Sequence, residues 1–104
     1  MRGAAAALLL LIGVAPAAAQ QHPGRARAQV CATCHGPLGI SNMPDAPHLA
    51  GQPRIYLIEQ LKAFRSGKRA HEVMNVVARP LTDADIEALA DWYASLAVEA
   101  REKR

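Results

Sequence analysis

The sequence predicts an all-α domain. Apolar residues recur at helical spacing in two separate segments. Proline and glycine crowd the stretch before the first of them, and no segment reads as a strand. No internal repeat is present.

Each element follows in chain order. Residues 22–33 read as a first helix, with Pro23 and Gly24 near its start. Residues 36–52 read as loop, because Gly36, Pro37, Gly39, Pro44, Pro47 and Gly51 break regular structure. Pro53 suits the first position of a second helix, where its missing N–H costs nothing. Leu57, Ile58, Leu61 and Phe64 form the apolar stripe of that helix, and Gly67 ends it. Residues 70–78 read as a short helical segment stopped by Pro80. Thr82 caps the last helix, and Asp83, Asp85 and Glu87 favour its dipole. Ile86, Leu89, Ala90, Tyr93, Leu96 and Ala97 are its buried stripe. The expected architecture is three main helices plus short helical segments.

The chain has 104 residues, enough for one small domain and too few for a multidomain enzyme with a large buried active site. Hydrophobic residues make up 51%, but many of them lie in the first 19 positions. There, Arg2 precedes an apolar run over residues 4–14, then Pro16 and Ala17-Ala18-Ala19. This is the pattern of an export signal cleaved after Ala19. Eleven apolar residues fall short of the roughly 20 that span a bilayer, so no stable membrane insertion is expected after cleavage. Residues 1–19 are therefore assigned as signal peptide and 20–104 as the functional domain.

Residues 20–80 carry eight basic and three acidic side chains, whereas residues 81–104 carry three basic and six acidic. Such a polar molecule can orient in a partner's field. It is too weakly basic for a nucleic-acid partner. The aromatic residues of the domain are Tyr56, Phe64, Trp92 and Tyr93. A core this thin calls for a staple or a cofactor.

The two cysteines supply the candidate. Cys31-Ala32-Thr33-Cys34-His35 is the C-x-x-C-H attachment pattern of c-type haem. Thiols three residues apart on about one helical turn can each reach a vinyl group of the same porphyrin. The adjacent imidazole then falls under the ring. A disulfide, a thioredoxin-like redox pair and half of a zinc site compete with this reading. The domain lacks the strand-rich surroundings of the second and the further cysteines of the third. Export, small size and a thin core favour haem.

The second axial ligand decides the chemistry. The candidates are Met43, Met74, His22, His48 and His71. Met74 is favoured. It lies 39 residues after His35, beyond a whole helix, so the chain can pass the ring edge and return on the other face. Its thioether is a soft ligand that raises the potential relative to a second imidazole. Met43, only eight residues from His35 in a Pro/Gly-rich loop, is expected to pack or lie on the surface. The three histidines are expected to be solvated, with His22 in a mobile terminus. His71 could replace Met74 at altered pH or on misfolding.

At this point the sequence resembles a class I cytochrome c of the small bacterial periplasmic monohaem type, or a single half of a dihaem cytochrome c. The resemblance rests on Cys31 to Gly36, Pro47-His48-Leu49-Ala50-Gly51-Gln52, Tyr56-Leu57, Gln60-Leu61 and Phe64 to Arg69. It continues through Met74, Leu81 to Ile86, and Tyr93. It implies a small cytochrome c fold wrapped around one haem c attached through Cys31 and Cys34. His35 and Met74 would be the iron ligands, and the Pro47 carbonyl would orient the His35 ring. Tyr56 and Arg69 could meet a haem propionate, or be a core tyrosine and a solvated arginine. Arg27 stands where many relatives carry an aromatic, which predicts a looser contact between the first and last helices. Pro37 also departs from the usual loop.

The resemblance implies a periplasmic electron carrier, not an enzyme, with redox proteins as partners. Lys62, Arg65, Lys68 and Arg69 could help dock an acidic partner or simply be a solvated face. The alternative is a haem c electron-transfer subunit of a periplasmic dehydrogenase or oxidase complex. An exposed apolar patch near the haem would favour the latter. A gas-binding or catalytic haem protein would need an open sixth position, and a disulfide protein would be colourless.

Overall fold

A computed structural model describes residues 1–13 and 22–104 of the chain. Residues 1–13 are exposed and carry no regular secondary structure. The expected cleavage point after Ala19 lies outside the described residues. Five α-helices follow in order: α1 (Pro23–Arg27), α2 (Gln29–His35), α3 (Arg54–Ser66), α4 (Glu72–Ala78) and α5 (Asp83–Ala94). No strand occurs among the described residues.

The expected first helix is two short ones. They meet at Ala28, whose ψ of −9° opens the spiral by one residue. Ala28 still donates to the Gly24 carbonyl at 2.8 Å, and Cys31 donates back to the Ala28 carbonyl at 3.0 Å. The second helix extends past the expected end, so both cysteines and His35 lie on it.

α1 packs against α5 with almost no gap. A Cβ on Gly24 would sit 2.0 Å from the Ala88 carbonyl oxygen and 2.6 Å from Trp92 Cβ. Arg27 pairs with Asp85 at 3.1 Å across the same contact. The looser junction expected from Arg27 is not what forms. A bare glycine and an ion pair close it instead.

α3 starts one residue later than expected, with Pro53 as its cap. It ends at Gly67, which adopts a left-handed conformation with φ +80°. Of the expected stripe, Leu57 and Phe64 are buried and Ile58 and Leu61 are half-buried. α5 begins with a full capping box. Thr82 Oγ1 accepts from Asp85 N at 3.1 Å, and Asp85 Oδ2 accepts from Thr82 N at 3.0 Å. Ile86, Leu89, Ala90 and Tyr93 are buried as expected, but the helix stops at Ala94. Gly51 N takes the Tyr93 carbonyl at 2.8 Å and Ser95 Oγ takes that of Trp92 at 2.6 Å. Leu96 and Ala97 therefore lie beyond it. The core joins Ala28, Leu57, Leu89, Ala90 and Tyr93, with Cys31 packed against it.

Candidate cofactor site

α2 carries Cys31, Cys34 and His35. Gly36 caps it and turns the chain into the loop. His35 is buried, and its Nδ1 lies 2.8 Å from the Pro47 carbonyl oxygen. A carbonyl only accepts, so Nδ1 carries the proton and Nε2 keeps its lone pair.

Ser41 secures the loop that supplies this carbonyl. Its buried hydroxyl donates to Cys34 O at 2.9 Å and receives Met43 N at 3.0 Å. Its own N–H donates to His48 Nδ1 at 2.8 Å. His48 is exposed, as expected, yet its ring ties the chain directly after Pro47 to Ser41. Neither Ser41 nor this role of His48 carries a sequence signal, because both depend on how the loop folds back.

Both cysteines are half-buried free thiols. Burial pushes the Cys31 thiol up, and the Tyr93 hydroxyl partly offsets this. The Tyr93 hydroxyl is itself buried without a made hydrogen bond. Burial first, and then Cys31, push its pKa well above the ordinary tyrosine value. Cys31 packs against the core cluster that holds Tyr93.

One cavity of about 360 Å³ gathers the expected site residues. Cys31, Cys34, His35, Pro47 and Met74 all line it, with apolar walls from Leu57, Leu61, Phe64, Val77 and Leu89. Tyr56, Arg69, His71 and Met43 line it as well, and His22 and His48 do not. Met43 is 42% exposed in the loop, whereas Met74 is half-buried on α4. Covalent haem c fits these residues. Two thiols stand at the required spacing beside a buried imidazole of fixed tautomer, a thioether lines the same space, and the walls are apolar.

Other expectations resolve individually. His22 is not a loose terminal side chain. Its Nδ1 caps α1 by accepting from Gly24 N at 3.1 Å, and its ring packs on Trp92 at 5.5 Å. His71 is exposed but caps α4. Arg69 lies over the Phe64 ring at 4.6 Å and donates to Gln60 Oε1 at 2.7 Å. Arg65 pairs with Asp83 at 2.7 Å. Of the four basic residues considered for docking, two are therefore tied down internally. Asn75, which sequence reasoning missed, makes three hydrogen bonds next to Met74.

The sequence pattern of the Cytochrome c family matches residues 21–97. The chain is 44% identical over 82 residues to cytochrome c4 of Thiocapsa roseopersicina, covering 78% of this chain and 42% of that protein. It is 42% identical over 95 residues to a thiosulfate dehydrogenase electron acceptor of Thiomonas intermedia (strain K12), covering 89% and 42%. The fold matches reduced recombinant cytochrome c4 from Pseudomonas stutzeri with a TM-score of 0.69 at 33% identity, covering 72% of this chain and 44% of that one. The chain thus spans less than half the length of these relatives.

Proposed function

Because the chain belongs to the cytochrome c family, whose cofactor is covalent haem c, we propose that it is an exported one-electron carrier. In this reading Cys31 and Cys34 hold the haem through thioether bonds, and His35 and Met74 are the axial ligands. Bound there, the haem supplies an Fe(III)/Fe(II) couple.

The chain's residues do the rest. Pro47 O holds the His35 ring by its Nδ1–H, so Nε2 is aimed and made more basic. Leu57, Leu61, Phe64 and Leu89 keep water from the cavity, which disfavours charge there and so tunes the potential. The observation that carries the reading is the 2.8 Å contact between His35 and Pro47 in a cavity also lined by Met74.

Residues 1–19 serve as the export signal in this reading, and the site of action is the periplasm. The apolar run over residues 4–14 supports this. Among the described residues no helix is long and apolar enough to cross a membrane. The partners are redox proteins.

A fixed partner is the second reading, and one observation favours it. Val30, Tyr56 and Val73 line the cavity and are exposed, at 63%, 45% and 52%. Of the four basic residues considered for docking, Arg69 alone lines it. The rim is thus apolar more than basic, which suits a subunit of a periplasmic dehydrogenase or oxidase complex. The match to a thiosulfate dehydrogenase electron acceptor points the same way.

The test is an absorption spectrum of protein exported alongside haem-attachment machinery, oxidised and then reduced. Sharp low-spin bands in the reduced form, with haem retained after denaturation, are expected. A high-spin spectrum that shifts with carbon monoxide would overturn the carrier reading.

A further inference from the structure

Three hydrogen bonds converge on the side chain of Asn75. Its Nδ2 donates to Phe64 O at 2.8 Å and to Arg69 O at 2.8 Å. Its Oδ1 accepts from His71 N at 2.6 Å. Two carbonyls require donors and one N–H requires an acceptor, so the amide has one workable orientation. Phe64 lies in the last turn of α3, Arg69 in the linker, and His71 at the N-cap of α4. One half-buried amide therefore closes the whole turn that delivers α4, and it sits directly after Met74.

The same turn controls His71. The ring accepts at Nδ1 from Val73 N at 3.2 Å and Met74 N at 3.1 Å. It also stands edge-on to Phe64 at 6.2 Å between centroids. With Nδ1 accepting, the neutral ring carries its proton on Nε2. That nitrogen then has no lone pair for a metal. His71 and Met74 both line the cavity that His35 lines. Two competent donors thus stand three residues apart, and one is masked while the turn stays closed.

We propose that Asn75 selects the iron's second ligand by keeping His71 engaged as a cap and leaving Met74 free. The proposal rests on the reading that Met74 binds the iron. Imidazole is a good iron ligand in its own right, so affinity alone does not secure the thioether. Geometry does. When the turn opens, His71 releases two backbone N–H groups and its proton moves from Nε2 to Nδ1. Nε2 of His71 would then be free to take the place of the Met74 thioether as the second ligand, one neutral donor exchanged for another with no electron gained or lost. Asn75 is a positioning residue in this scheme.

The test uses the haem-loaded protein and two readouts: the long-wavelength iron–sulfur charge-transfer band of the oxidised form, and the reduction potential. Asn75→Ala is expected to lose most of the band and to lower the potential, since a second imidazole gives a lower potential than a thioether. Asn75→Asp keeps the acceptor for His71 N but loses both donors, and it is expected to do the same if the alanine variant folds poorly. Adding His71→Asn should restore the band, because asparagine still caps a helix but offers no imidazole. A band and potential unchanged in both Asn75 variants, with only thermal stability reduced, would overturn the proposal. Failure of His71→Asn to restore the band would do so too. A band that survives Met74→Ala would instead overturn the ligand assignment itself, and the proposal with it.

Discussion

The His35 imidazole and the Pro47 carbonyl, twelve residues apart in sequence, meet at 2.8 Å. The contact joins the end of α2 to the far side of a loop, and Ser41 and His48 hold that loop in place. The proton position on the proposed ligand His35 is thus set by a backbone atom of a residue with no polar side chain.

Changing that loop should change the potential before it changes the fold. Pro47→Ala frees the backbone and loosens the carbonyl's hold on Nδ1–H. A less basic imidazole stabilises Fe(III) less, so the potential should rise by some tens of millivolts, where ~59 mV corresponds to a tenfold change for one electron. Redox titration of the two proteins checks this. An unchanged or lowered value would count against the role assigned to Pro47.

The two cavity methionines should behave differently. Met74→Ala should abolish the iron–sulfur charge-transfer band of the oxidised protein, and Met43→Ala should keep it. Met43 is exposed, and its backbone is tied to Ser41, whereas Met74 is half-buried on α4. Side-by-side spectra of the two variants decide between them.

The α1–α5 crossing should not tolerate a methyl group. Gly24→Ala places a Cβ 2.0 Å from a backbone oxygen, so one helix must shift. Overpacking of this kind costs about 1–3 kcal/mol. In a domain this small each kcal/mol moves Tm by roughly 4–8 °C. Thermal unfolding followed by circular dichroism reads the drop, and an unchanged Tm would show that the crossing has slack.

Acid should weaken the start of α5. The Thr82 backbone N–H, foremost, and Arg27 hold the Asp85 carboxyl below its ordinary value, although desolvation opposes them. Arg65 does the same for Asp83. Carboxyls depressed in the fold stabilise it above their unfolded pKa of about 3.9, and this is lost as pH falls through their folded values. Asp85→Asn should lower stability at neutral pH and flatten the acid decline. Urea unfolding across pH 2–7 tests it, and parallel curves for the two proteins would contradict it.

Much of this was legible in the chain. The spacing of Cys31, Cys34 and His35 is local, and so are the stripes of Leu57 and Phe64 or Ile86 and Leu89. Local patterns survive folding because the helix period alone places them. The caps made by His22 and His71 were not legible. Histidine caps a helix only where a particular turn aims Nδ1 at free N–H groups. The Asn75 amide was hidden for the same reason, since its partners Phe64 and Arg69 come near only after α3 ends at Gly67. The Arg27–Asp85 pair depends on two helices meeting from opposite ends of the sequence, so Arg27 alone suggested looseness where the structure is tight.

The burial of Cys31 against Tyr93 also has a meaning in time. Chains are made from the amino end, so residues 31–35 exist well before residues 83–94. Until α5 arrives there is no Tyr93 to cover the sulfur and no Trp92 for Gly24 to rest on. The growing chain therefore passes through an interval in which the Cys31 thiol stands open to modifying machinery. Completion of the last helix ends that interval, and a late reagent would meet a thiol already raised in pKa by its own fold.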